Sequence, residues 1–315
     1  MGKYIIKKFI LLIITLIVTS FIIFLIFELV PGDPVLDKLG TRATPEKIES
    51  LRHEWGLDKP FILRYLIFLK GVFTFDFGTS YSYGIAVTSL LREKVVINLV
   101  MAIMSLTMVI LVSFPLGVYT AKHTGGFADK IISALNQASM SVPSFVTGLL
   151  ITFLFGLVLK WFRPGGYVSY KTDFGGFLYF LIFPCIALSL PKIAMCIRLL
   201  KGNILEEAGK DYSLTAYARG NNTTGLLYRH VLKNAVMPTI TFIGMIAADM
   251  ICSGIVIEQV FSIPGLGQIL INSIFTRDYP VVEALVMMIA LFIMVISFIT
   301  DAIHAMIDPR IRLSN

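Results

Sequence analysis

The chain has 315 residues, of which 56% are hydrophobic and 15% are charged. Soluble globular domains carry roughly a quarter charged residues, so this composition and the mean hydropathy of +0.81 exclude an ordinary soluble protein. The formal net charge is +7, but the basic residues fall in short segments beside apolar runs. That distribution indicates orientation against anionic lipid rather than nucleic-acid binding.

Six apolar stretches are long enough to cross a membrane, which takes about 20 mostly apolar residues. They run from Phe9 to Val30, Val95 to Ala121, Ile131 to Val158, Phe177 to Leu200, Ala235 to Ile257 and Ala284 to Ile307. The first stretch follows three lysines, as in a secretory signal, but its apolar run is longer than that of a signal and no small-residue cleavage site follows. We therefore predict an all-α membrane protein with six transmembrane helices, the first of them retained.

The basic residues predict the direction in which the chain crosses the membrane. With the N-terminus in the cytoplasm, 13 lysines and arginines fall in cytoplasmic segments and four in the two short outer loops. The long first loop holds nine, but loops near or above about 60 residues follow the positive-inside rule poorly. We therefore expect both termini in the cytoplasm.

This direction divides the chain into four parts, which are the N-terminus and first span (1–30), an extracytoplasmic loop (31–94), a core of five spans (95–307) and a cytoplasmic tail (308–315). In the loop, Thr44 and Pro45 begin a helical pattern that Gly56 ends. The apolar run at 63–73 is too short to span a membrane, which predicts an interfacial helix.

A polar, basic segment at 201–234, here called the polar segment, interrupts the core between the fourth and fifth spans. We predict a short helix that Asp211 or Ser213 caps, and a second helix from Thr223 or Thr224 toward Asn234. Two capped amphipathic helices on the cytoplasmic side are more typical of a docking surface than of a simple connection.

The run D-Y-S-L-T-A-Y-A-R-G at 211–220, followed by R-H-V-L-K-N-A at 229–235, resembles the EAA loop of ATP-binding-cassette (ABC) importer permeases. The form is that of the dipeptide, oligopeptide and nickel permease family, although Tyr217 stands where Arg is usual, Arg219 replaces Lys and Lys233 replaces Arg. Further motifs in family order extend the resemblance along nearly the whole chain. They are L-V-P-G-D-P-V at 29–35, G-L-D-K-P-F at 56–61, F-D-F-G-T-S at 75–80, S-V-P-S-F at 141–145, V-F-S-I-P-G-L-G at 260–267, R-D-Y-P at 277–280 and D-P-R at 308–310.

The resemblance implies a type I ABC importer permease fold in a bacterial or archaeal cell membrane. It also implies a second, related permease subunit in a heterodimer, two ATPase subunits that bind ATP and Mg²⁺, and an extracytoplasmic substrate-binding protein that meets the 31–94 loop. In that family the EAA loop fits a cleft in the ATPase subunit. The residues implied for ATPase coupling are Asp211, Tyr212, Thr215, Ala216, Arg219, Gly220, Arg229, His230 and Asn234.

No catalytic or metal-binding pattern appears in the sequence. There is no G-x-x-x-x-G-K-[ST] phosphate loop, the four histidines are far apart, and the three cysteines lack C-x-x-C spacing. We therefore expect a transport subunit without enzymatic activity, cofactor or metal of its own. The energy of ATP hydrolysis is expected to enter from partner subunits through the polar segment, where Gly220 allows a turn between the two helices.

Ionisable residues inside the predicted spans are few, and each costs about 2.5–3.5 kcal/mol to insert. Asp249 falls near the middle of the fifth span, and Lys192 and Asp301 lie in the fourth and sixth. Two interpretations remain open. These groups satisfy one another or a partner subunit, or Asp249 lies on the translocation path, where an acid suits a cationic substrate.

Methionines supply the remaining candidates for the translocation path. Met101, Met104 and Met108 share one face of the second span, and Met245 lies in the fifth. Methionines at helical spacing are usually packing residues, but their thioethers could also make soft contacts with a metal.

These observations favour a permease subunit of an ATP-driven importer that forms half of the translocation pathway for small peptides. Import of nickel, or of a nickel chelate, by the same mechanism is the alternative. A stand-alone channel or secondary transporter is a hypothesis of another class, although no convincing internal repeat of the kind common in secondary transporters appears.

Overall fold

The computed structural model describes residues 2–220 and 222–307, which are almost entirely helical. Within those ranges the β-structure is a single isolated bridge between Thr79 and Ala86. The α-helices are α1 (Gly2–Leu29), α2 (Pro34–Leu39), α3 (Pro45–Glu54), α4 (Phe61–Thr74), α5 (Val87–Lys122), α6 (Phe127–Ser141), α7 (Ser144–Ile151), α8 (Phe174–Ala208), α9 (Asp211–Ala218), α10 (Thr223–Leu226), α11 (Leu232–Phe261), α12 (Leu266–Phe275) and α13 (Tyr279–Ile307).

Five helices are individually long and apolar enough to cross a membrane, namely α1, α5, α8, α11 and α13. The helix α6 and the helical stretch Ser144–Val158, which begins with α7, pass the same test together and supply the sixth span when the pair is counted as one. The predicted all-α membrane fold is therefore confirmed. The tail at 308–315, with its D-P-R motif, lies outside the described residues.

The third span is not the continuous helix predicted from Ile131 to Val158. Its two halves meet at an angle of 101°. Val142 is extended, with φ −105° and ψ 121°, because the following Pro143 disfavours helical backbone in the residue before it and cannot donate a backbone hydrogen bond. Beyond α7 the chain continues as a π-helix over Thr152–Val158.

The chain forms two compact units, the first from residues Met1–Asn98 with Pro264–Phe298, the second from Leu99–Ile263 with Ile299–Asn315. In the first unit, apolar residues of α5, α12 and α13 form one core, centred on Val87, Leu266 and Leu285. Residues of α1, α4 and α13, including Leu16 and Val72, form a second.

The short helices of the 31–94 loop begin as their sequence predicts. Thr44 accepts a hydrogen bond from the backbone N–H of Lys47 at the start of α3, and Gly56 follows that helix with φ +68°. The predicted helix at 63–73 is confirmed as part of α4.

In the second unit, α8 packs against α6, α7 and α11. One core cluster of this unit includes Val118, Leu200, Ile204, Leu227 and Val231. The last three of these residues belong to the polar segment. The close approach of α5 to α8 needs Gly117, since a Cβ there would lie 2.9 Å from the Leu200 side chain.

Candidate functional site

The first helix of the polar segment is confirmed, but its predicted cap is wrong. The helix α9 spans Asp211–Ala218, so Asp211 is its first helical residue, and Lys210 occupies the N-cap without a capping hydrogen bond. The Ser213 hydroxyl instead donates to the carbonyl of Glu207, at 2.8 Å. After α9, Gly220 adopts φ +89°, the left-handed conformation that favours glycine.

The second predicted helix continues past Asn234. Near its start the Asn222 side chain accepts a hydrogen bond from the Gly225 N–H at 2.7 Å, whereas the side chain of Thr223, one of the two predicted caps, lies outside the described residues. The chain then passes through a π-helical turn at Leu227–Val231 into α11. Residues 224–261 thus form one helical rod that joins the polar segment directly to the fifth span.

The polar segment is held to the end of α8 by hydrogen bonds around one carboxylate. Glu207 forms an ion pair with Lys210 and accepts a hydrogen bond from the Tyr212 hydroxyl at 2.6 Å. The hydrogen bond to Glu207 raises the pKa of Lys210 above its ordinary value. At the start of the polar segment, Lys201 forms an ion pair with Asp129 of α6, with 2.5 Å between Nζ and Oδ1. The segment therefore rests on the membrane helices through several separate contacts.

The outward face of the polar segment carries aromatic and basic side chains. Tyr217 is 60% exposed and Tyr228 is 55% exposed. Arg219, Arg229 and His230 are exposed as well, and none of the ion pairs seen in the described residues involves them. Of the remaining predicted coupling residues, Asp211, Thr215 and Asn234 are exposed, while Ala216 is buried against the fold.

The two ionisable residues predicted in the fourth and fifth spans meet. Lys192 of α8 forms an ion pair with Asp249 of α11, and Ser253, one turn further on, donates to the same carboxylate at 3.0 Å. The Asp249 side chain is nevertheless 47% exposed on this chain. Met245, one turn before it, is 64% exposed, so both lie on an open face of α11.

The three methionines of the second span are not equally accessible. Met101 is fully buried, and its carbonyl accepts a hydrogen bond from the Cys185 thiol at 3.5 Å. Met104 and Met108 are half-buried. The Ser189 hydroxyl of α8 lies 3.9 Å from the Met108 sulfur, so this stripe contacts the fourth span.

Sequence reasoning assigned no role to Asp278 in R-D-Y-P or to Ser80 in F-D-F-G-T-S, yet the fold brings them together. Asp278 is fully buried and accepts hydrogen bonds from the Ser80 hydroxyl, the Tyr81 N–H and the Ser82 N–H. An acid directly before the start of an apolar span was the available signal, but its partners lie almost 200 residues earlier in the chain.

The apolar helices and the exposed polar segment define a multi-span membrane protein. Residues 1–111 match the N-terminal part of the binding-protein-dependent transport system membrane components. Residues 113–313 match the binding-protein-dependent transport system inner membrane component. The chain belongs to this family, and it is therefore a permease component of an ABC importer and a multi-pass protein of the cell membrane.

Curated relatives resemble the chain over its whole length. It is 32% identical over 312 residues to a probable peptide ABC transporter permease protein, y4tP, of Sinorhizobium fredii. It is 32% identical over 314 residues to the dipeptide transport system permease protein DppB of Lactococcus lactis. The oligopeptide transport system permease protein AppB of Bacillus subtilis is 31% identical over 315 residues. Each alignment covers 99% of this chain and 100% of the relative.

Proposed function

We propose that the chain is one of two related but different permease subunits of an importer of small peptides. The names of the three relatives refer to the transport of a peptide, a dipeptide and an oligopeptide. In this proposal the 31–94 loop meets an extracytoplasmic substrate-binding protein, and residues 95–307 form half of the translocation pathway. The termini and the polar segment lie in the cytoplasm.

The observation that carries the coupling role is the helical rod from Thr224 to Phe261. A displacement applied to α10 would reach the fifth span without crossing a loop, as rigid-body transmission requires. The exposed tyrosines and basic residues beside the rod offer the contact surface, since aromatic side chains and Arg are enriched at protein interfaces. Two ATPase subunits, which bind ATP and Mg²⁺, would supply that displacement.

The open face of α11 supports a partner within the membrane. A charged side chain that faces lipid is costly, so intramembrane carboxylates normally face the bundle interior or a water-filled cavity. The half-exposed Asp249 on this chain is therefore expected to face the second permease subunit or the translocation path, together with Met245.

Replacement of Gly220 tests the coupling role. A Cβ at Gly220 meets no atom within 4 Å, so Gly220→Asp changes the backbone preference and the outward surface without an internal clash. We expect peptide uptake to fall by roughly tenfold or more, within the range of a typical coupling free energy, while the amount of chain in the membrane stays the same. Uptake of a labelled dipeptide and quantification of the chain in purified membranes measure the two quantities.

The matched control for this experiment is Gly125→Asp. Gly125 also has a positive φ, +82°, and no atom within 4 Å of its Cβ position, but it lies between α5 and α6, outside the polar segment. We expect uptake close to that of the wild type. Equal losses for both variants would show that strain at an exposed glycine, rather than coupling, explains the effect.

Nickel import by the same mechanism is the second candidate, because the path candidates Asp249 and Met245 are both exposed. An acid suits a cation, and a thioether suits a soft metal. Accumulation of nickel and of dipeptide, each measured in cells with and without the chain, separates the two substrates. Loss of nickel accumulation with unchanged peptide uptake would replace the peptide proposal.

A further inference from the structure

The first unit contains a cleft of about 950 Å³ whose walls come from α1, α3, α4, α13 and the 31–94 loop. Charged side chains and aromatic rings share the lining, the rings including Phe24, Trp55, Phe68, Phe77, Tyr81 and Tyr279. A concave site of this size suits a small molecule, and its many charged groups suit a polar one.

One part of the cleft holds two carboxylates and one guanidinium. Arg64 of α4 forms an ion pair with Glu28 at the end of α1. Glu283 of α13 lines the same cleft and interacts electrostatically with both Arg64 and Glu28. In the described residues, Arg64 donates two hydrogen bonds to carboxylates, and Glu28 accepts both of them. The trio therefore has one carboxylate more than its cation can match.

Two further acids of the lining have partners of their own. Arg52 pairs with Asp33, and His53 lies 2.7 Å from Asp58. In all, seven carboxylates line the cleft against three lysine and arginine side chains, Arg52, Lys59 and Arg64. The cleft therefore has an excess of acidic groups, Glu283 among them.

One aromatic wall contains a stacked pair of rings. The rings of Trp55 and Tyr81 stack with centroids 3.8 Å apart and an interplanar angle of 8°. Burial raises the pKa of Tyr81 above its ordinary value, so its ring carries no charge at neutral pH. Neutral aromatic faces attract ammonium groups through their quadrupole, most strongly where water is excluded.

We propose that this cleft binds the ammonium group of a small organic amine, with Glu283 as its counter-ion and the Trp55 and Tyr81 rings beside it. Glu283 is partly buried, and none of the hydrogen bonds seen in the described residues reaches its carboxylate. A carboxylate removed from water without a donor is costly, and an ammonium supplies both the charge and the donors. The identification of that amine as the amino terminus of a peptide rests on the proposed function. In that case the cleft recognises the charged amino terminus that every unmodified peptide shares, independently of the peptide's side chains.

Calorimetric titration of the full-length chain in lipid nanodiscs tests this assignment. The probes are alanyl-phenylalanine, its N-acetyl derivative, which lacks the ammonium, and phenethylamine, which retains an ammonium and an aromatic ring. We expect alanyl-phenylalanine and phenethylamine to bind and the N-acetyl derivative to bind about tenfold or more weakly, as the loss of a charge-assisted hydrogen bond implies. Equal binding of the free and acetylated peptides, or no binding of either free amine, overturns the proposal.

The variant Glu283→Gln supplies the second arm, and Glu46→Gln is its control. Glu46 is an exposed carboxylate of α3 in the same unit and outside the cleft lining. We expect affinity for phenethylamine to fall about tenfold or more in Glu283→Gln, by the same reasoning, and to stay unchanged in Glu46→Gln. Unchanged affinity in Glu283→Gln overturns the assignment, and the wild-type comparison above remains decisive if this variant does not fold.

The two proposals fail in different ways. Binding of phenethylamine that depends on Glu283, in a chain that cells do not use for peptide uptake, would leave the amine site intact and refute the peptide importer. Peptide uptake that depends on the chain, without amine binding in the cleft, would refute the site alone.

Discussion

Two polar regions of this membrane protein differ in whether their polar groups are paired within the chain. The buried carboxylate of Asp278 accepts three hydrogen bonds from residues 80–82 of its own chain. In the polar segment, Arg219, Arg229 and His230 lie on the surface outside the ion pairs of the described residues. The first arrangement stabilises the fold, whereas the second leaves donors and charges available to another protein.

This difference in pairing distinguishes residues that stabilise the fold from residues that are available to bind a partner. Both regions belong to motifs that were recognised in the sequence. Satisfied buried polar groups are expected to affect stability when they are removed. Exposed basic and aromatic groups on a rigid helical support are expected to affect association instead.

Removal of the Asp278 carboxylate should produce the largest loss of stability. In Asp278→Asn, at least one of the donors at Ser80, Tyr81 and Ser82 faces an amide NH₂ group instead of an oxygen, which we expect to cost about 2–4 kcal/mol. The midpoint of thermal unfolding in detergent should fall by roughly 5–10 °C. Proteolysis at residues 80–86 should increase at the same time.

The control for this prediction is Asp37→Asn in the same unit. Asp37 pairs with Arg277 at 3.0 Å, but its side chain is half-exposed, and exposed ion pairs contribute about 0–1 kcal/mol. An unfolding midpoint that falls equally in both variants would mean that the burial of Asp278 does not have the importance assigned to it here.

The Lys192–Asp249 pair provides a smaller effect and a test of the two open interpretations. Either Lys192→Met or Asp249→Asn alone leaves one uncompensated charge in the membrane, and we expect peptide uptake to fall in both. If the groups only neutralise each other, the double variant should recover uptake, because the penalty of each single change depends on the other residue. A double variant as inactive as Asp249→Asn would indicate that the carboxylate itself contacts the substrate or a partner subunit.

The smallest predicted effect is a pH dependence in the 31–94 loop. Burial tends to raise the pKa of Asp33, but hydrogen bonds from Arg52 and the Val35 N–H outweigh it and hold the pKa below its ordinary value of 3.8. Asp33 therefore contributes stability above pH 4, which is lost as the pH falls through the lower folded-state pKa.

The variant Asp33→Asn isolates this contribution, since Asn caps a helix about as well as Asp but does not pair with Arg52. We expect the wild type to unfold at a higher temperature than the variant at pH 7, and the difference to shrink on acidification toward pH 3. A difference that grows on acidification would contradict the assigned direction.

Features set by neighbouring residues were predictable from the sequence. The helix α3 begins at Thr44 and Pro45, and α9 ends at Ala218 before a left-handed Gly220, because caps and turns depend on local chemistry. The six apolar stretches were also recognisable, because hydropathy is a property of consecutive residues. Pro143 was also visible in the sequence, but hydropathy alone does not reveal a bend within an apolar run.

Features that depend on distant residues or on helix continuity were not predictable. Asp278 and Ser80 are 198 residues apart, and no local pattern pairs them. The helix toward Asn234 and the span from Ala235 were predicted as separate elements, yet the burial of Leu227, Val231 and Ala235 continues at helical spacing through the π-helical turn. Packing against α8 thus accompanies one continuous helical rod.

Co-purification of the tagged chain from its native membrane tests most directly whether the polar segment receives the ATPase subunits. Mass spectrometry should find a second permease subunit, two ATPases and a substrate-binding protein with the wild type. The double variant Arg219→Glu/Arg229→Glu should lose the ATPases and keep the second permease subunit. Lys122→Glu/Lys130→Glu, which reverses two exposed charges outside the polar segment, should keep all of them. Retention of the ATPases by the arginine variant, or recovery of the wild-type chain alone in a form that still transports, would contradict the account.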